Sequence, residues 1–111
     1  MSATIDEDRA TVRRLLDEAE SHIRNGDADS ANAATDEAGR LLDRWSEAGQ
    51  AAEVLTPLLS PDEPAHVRTD AASYLLHHGH ADLAIPVLES VDLVRARVTL
   101  NYWRRQQGAS R

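Results

Sequence analysis

Apolar residues recur three and four positions apart along most of this chain, the period of helices that bury one face. Val12, Leu16, Ala19 and Ile23, widened by Leu15, mark a first helix from a cap at Thr4 to Asn25-Gly26. Thr4 and Glu7 have the spacing of a capping box, with Asp6 and Asp8 at the positive helix end. Ala31, Ala34, Ala38, Leu41, Trp45 and Ala48 keep the same period from Asp27, a good N-cap, to Gly49. Its small residues predict close packing that opens around the indole. A short third helix is predicted over Gln50 to Leu59, disturbed by Pro57, and Pro61 and Pro64 bracket a turn at Asp62-Glu63. The fourth buries Val67, Ala71, Tyr74 and Leu75 and ends at His78-Gly79. The fifth, Ala81 to Ser90, turns Ala84, Val87, Leu88 and Val91 inward. Asp92 is the expected cap of a sixth, which points Leu93, Ala96, Leu100 and Trp103 to the core.

The predicted fold class is therefore all-α, with three stacked antiparallel helix pairs in a single domain over residues 1–111 whose ends, 1–4 and 107–111, are expected to fray. Pro57 and Pro86 share apolar settings, and Val67-Arg68 returns as Val94-Arg95, which reads as an internal repeat. On Pro57, Asp62, Val67-Arg68 and Ala71-Ala72, the segment from Leu55 to Leu76 resembles a HEAT repeat; the last pair retains Pro86 and Val94-Arg95 without the turn aspartate. Residues 10 to 106 also resemble a family of small bacterial proteins known only as a domain of unknown function. The residues that carry this are Gly26-Asp-Ala-Asp-Ser-Ala-Asn32, Leu55-Thr-Pro-Leu-Leu59, Val67-Arg-Thr-Asp-Ala-Ala72, Ala84-Ile-Pro-Val-Leu88 and Leu100-x-x-Trp103. The resemblance implies a HEAT-like α–α superhelix and supplies no active-site residue.

Charge changes the picture more than composition does. The net charge is −7, but residues 1–64 hold fifteen acidic and six basic side chains and residues 65–111 four and six, so −9 stands against +2. An acidic half disfavours nucleic-acid phosphates and anionic lipid and attracts basic partners over about 8 Å at physiological salt. All twelve basic residues are arginine, and cysteine is absent. The lack of cysteine fits a reducing compartment, and the opening Met1-Ser-Ala-Thr-Ile5 has neither the basic start nor the apolar run of a signal peptide or anchor, so a cytoplasmic location is expected.

Four groups of residues are candidates for chemistry. His77, His78 and His80, with His66, suggest a metal, but neighbours on a helix diverge by about 100°, and a solvated helix C-terminus that favours imidazolium accounts for the cluster better. No metal ligand and no cofactor is expected. Arg68 and Arg95 open helices four and six; Asp62 is spaced to accept a bidentate pair from Arg68. Asp29, Asp36 and Asp43 stand seven apart on the second helix, extended by Glu47 and flanked by Glu37. Arg40 and Arg44 interrupt that row, so a salt-bridged solvated face explains it without any partner. Tyr102, about 100° from the inward Trp103, is left partly exposed beside Arg104 and Arg105, a combination enriched at interfaces.

Catalysis finds no support in the sequence: there is no cysteine nucleophile, no glycine-rich phosphate loop and no recognisable triad. The expectation is a non-enzymatic protein-binding module with Asp29, Asp36, Glu37, Asp43, Glu47 and Tyr102 as partner-binding residues. Small size and acidity point to an immunity protein that neutralises a basic toxin; the alternative is a scaffolding repeat that self-associates.

Overall fold

The Thr4 hydroxyl accepts the Glu7 amide at 3.1 Å and starts α1, Ile5–Arg24, in a computed structural model that describes residues 4–109. Asp27 caps α2, Ala28–Glu47, by accepting the Ser30 amide at 3.1 Å. Between them Gly26 takes φ +75°, a conformation that costs a residue with a Cβ roughly 1 kcal/mol. α3, Ala51–Leu55, tightens into a 3-10 turn at Thr56–Leu59, because Pro57 has no N–H with which to continue an α-helix. α4 spans Ala65–His77, α5 Ala81–Ser90 and α6 Val94–Ala109. The chain is all-α, with no strand among the described residues. Gln107 to Ala109 continue α6, while residues 1–3 and 110–111 lie outside the described range.

The chain divides into two compact units, Met1–Leu58 and Leu59–Arg111. In the first, α1 packs along α2 and α3 lies against both. Val12, Leu15, Leu16 and Ala19 meet Ala31, Ala34, Ala38, Leu41 and Leu42, closed by Ala51, Val54 and Leu55. In the second, α4 packs along α5 and α6 touches both, burying Val67, Thr69, Ala71, Ala72, Leu75 and Leu76 with Ala84, Leu88, Val91, Ala96 and Leu100.

Several side chains in phase with a core stripe are not in the core. Ile23 is 53% exposed, since the facing start of α2 offers only small or polar residues from Ala28 to Asn32. Ala48 is exposed because α2 has already ended. Trp45 and Trp103, expected to be largely buried, are both half-buried, as are Tyr74, Val87 and Leu93. α6 starts at Val94, two residues beyond Asp92, the expected cap, which is exposed and pairs with Arg97.

Candidate functional site

Asp29, Asp36, Asp43 and Glu47 share the face of α2 opposite the buried alanines, and all four are exposed. Glu37, also exposed, lies to one side. There it helps line an open cleft of about 600 Å³ between α1 and α2, with Asp8, Thr11, Leu15, Arg40, Leu41 and Arg44. Among the described residues Arg40 and Arg44 pair with none of these carboxylates, so the salt-bridged face expected from the alternating charges does not form. Four of these five carboxylates, Asp29, Asp36, Glu37 and Glu47, are thus without a cation, although Arg40 and Arg44 stand among them on the helix, whereas Asp43 has an interaction.

The acidic row stands on a braced α2. Trp45 donates its indole N–H to Asp8 at 2.6 Å, linking the end of α2 to the start of α1. Arg9 donates from Nε to the Val54 carbonyl at 2.7 Å and from Nη2 to the Glu53 carbonyl at 2.9 Å, tying α1 to the end of α3. The Asp27 carboxyl that caps α2 is held below its ordinary value of 3.8, chiefly by hydrogen bonds from Ser30, with the nearby His22 charge adding to the effect.

Tyr102, the remaining expected partner-binding residue, is 53% exposed on α6 in the second unit. It edges a cleft of about 490 Å³ with Leu76, His77, Gly79, Ala81, Trp103, Gln106 and Gln107. The histidines do not converge. His78 stacks on Tyr74 with ring centroids 3.8 Å apart, and its Nδ1 donates to the Tyr74 carbonyl at 2.8 Å. No group of three or more His, Cys, Asp or Glu among the described residues is placed to hold a metal ion. Arg68 donates to the Glu63 carbonyl at 3.0 Å, replacing the expected pair with Asp62; Arg95 instead approaches Asp70 of α4, Nη2 to Oδ2 3.5 Å.

Sequence reasoning missed the two α6 residues that join Tyr102. Val94 is 73% and Val98 57% exposed. Their spacing of four before Tyr102 was the available signal, but Val94 had been read as part of a repeat motif. Among the described residues no helix is long and apolar enough to cross a membrane. Comparison with protein families, with curated proteins and with solved structures finds no match.

Proposed function

We propose that this chain is a cytoplasmic protein-binding module, an immunity protein that occupies and neutralises a basic bacterial toxin. The observation that carries this reading is the α2 row, in which Asp29, Asp36, Glu37 and Glu47 stay unpaired among the described residues although Arg40 and Arg44 share the helix. Only Asp43 and Glu47 of the α2 carboxylates stand at i, i+4, a like-charge spacing that costs roughly 0.2–0.5 kcal/mol. A cationic partner removes that repulsion and is steered to the row by complementary potential. The same field disfavours nucleic acid and anionic lipid. In this reading the module acts by occupancy, without a catalytic step or cofactor.

The test is co-expression with the neighbouring reading frame of the source genome, scored as protection from growth arrest. Protection should be lost in Asp36→Lys with Asp43→Lys, with folding of the variant checked by circular dichroism, and the affinity for the partner should fall steeply with salt. Unchanged protection by that variant removes the row from the mechanism. A harmless neighbouring product, or an isolated gene, removes the immunity reading.

A further inference from the structure

The charges that line the cleft between α1 and α2 stand in an order that attraction to a uniformly basic partner does not use. Along α2, Glu37 comes first, followed by Arg40 and Arg44. Asp8, on the α1 wall, accepts the Trp45 indole N–H at 2.6 Å and so lies level with the Arg44 end of the cleft. Charge along the cleft therefore runs minus, plus, plus, minus. From Glu37 to Trp45 the helix rises about 12 Å, and the floor beneath is formed by the buried Leu15 and Leu41.

None of these four charges neutralises another. Arg40 and Arg44 have no hydrogen bond or ion pair among the described residues, although Asp36 and Glu37 stand four and three residues before Arg40, and Glu47 three after Arg44. Glu37 is equally unpaired, and the Asp8 carboxylate is engaged by an uncharged indole alone. Two arginines at i, i+4 have their Cβ atoms about 6 Å apart and repel each other, and the two oxygens of one carboxylate are placed to accept from both. A lone anion in the cleft meets the acids at its ends, and a lone cation meets the arginines in its middle. The complement is a carboxylate held between two cations.

We propose that the cleft receives an extended segment carrying a carboxylate with a Lys or Arg two residues away on each side, as in Lys-x-Glu-x-Lys. The segment belongs to the protein partner inferred above, the reading on which this one rests. In an extended chain residues i, i+2 and i+4 share a face and span about 13 Å, close to the roughly 12 Å of helix between Glu37 and Trp45. The carboxylate lies between Arg40 and Arg44, one flanking cation reaches Glu37, and the other reaches Asp8. A uniformly cationic segment is rejected here, because it sets like charges against the two guanidiniums.

Two blocked peptides, acetyl-Lys-Ser-Glu-Ser-Lys-amide and acetyl-Lys-Ser-Gln-Ser-Lys-amide, test this by NMR titration of the full chain at low salt. Attraction by overall charge favours the glutamine peptide, which is one charge more positive, since residues 1–64 carry −9. The cleft reverses that order: the glutamate peptide should bind roughly fivefold more tightly and shift the Nε–H resonances of Arg40 and Arg44. Arg40→Gln with Arg44→Gln, with folding checked by circular dichroism, should abolish the preference while strengthening binding of the glutamine peptide. Acetate at the same concentrations should leave both arginine resonances in place. Equal or tighter binding of the glutamine peptide would overturn the cleft's role and leave the attraction of the α2 row for cations standing. A glutamate preference that survives the double variant, or acetate that shifts the arginines as strongly as the glutamate peptide does, would overturn it as well. Failure of both peptides to bind would overturn it and count against the α2 row too.

Discussion

Replacing Arg9 perturbs the first unit where proline chemistry has left it most exposed. In an α-helix the Glu53 carbonyl would accept from the amide of residue 57, and in a 3-10 turn the Val54 carbonyl would accept from the same residue. Residue 57 is proline, which has no N–H to give. The Arg9 fork answers both carbonyls, at 2.9 and 2.7 Å, from a side chain only 22% exposed. Its further bond to Asp6 contributes about 0–1 kcal/mol, since that carboxylate is 90% exposed. Hydrogen bonds involving a charged group contribute about 1.5–3 kcal/mol each, and a stranded buried carbonyl costs about 1–3 kcal/mol. Allowing for partial hydration once the side chain is gone, Arg9→Ala should destabilise by about 2–4 kcal/mol. Arg9→Lys, which cannot form the fork, should lose about half of that. The sharper assay is a double-mutant cycle in urea. Pro57→Ala restores an N–H for Glu53, so Arg9→Ala should cost at least about 1 kcal/mol less in that background than in the wild type. An additive cycle, or a cost for Arg9→Ala below about 0.5 kcal/mol, would refute the account.

Trp45→Phe should cost about 1 kcal/mol more than Trp103→Phe, because only Trp45 loses an indole hydrogen bond, to Asp8 at 2.6 Å; equal costs in urea denaturation would contradict this. Gly39→Ala should stabilise by about 0.5–1 kcal/mol, since the position is mid-helix and a Cβ there meets nothing within 4 Å. Gly79→Ala should destabilise by roughly 1 kcal/mol despite equally open space, because its φ is +88°; thermal unfolding separates the two signs. The Asp27 carboxyl titrates below its ordinary value of 3.8 when folded, so its stabilisation is present above that value and is lost as pH falls through the lower folded one. The stability advantage of wild type over Asp27→Asn should accordingly shrink only in acid, and an advantage that is constant with pH would contradict the assignment.

The helix boundaries were legible because their causes are local. Thr4 and Asp27 cap within three residues, Gly26, Gly49 and Gly79 take positive φ, and Ala81–Ser90 appears with the bounds the pattern predicts. The acidic row was legible for the same reason, since spacing alone sets which residues of a helix share a face. Its missing salt bridges were not: Arg40 and Arg44 line the cleft against α1 and pair with none of the row among the described residues.

What the sequence determined by itself was therefore the all-α class, most of the helix limits and the direction in which each side chain leaves its helix. Tertiary structure alone decided what stands in that direction. Ile23 is in phase but finds no bulky neighbour, Trp45 finds a carboxylate, Arg68 finds a carbonyl instead of Asp62, and Arg9 finds the two carbonyls that Pro57 leaves unpaired. Helical phase is fixed within a few residues, but these partners lie up to 45 residues apart in the chain. Only the packing of one helix against another can bring them within hydrogen-bond reach.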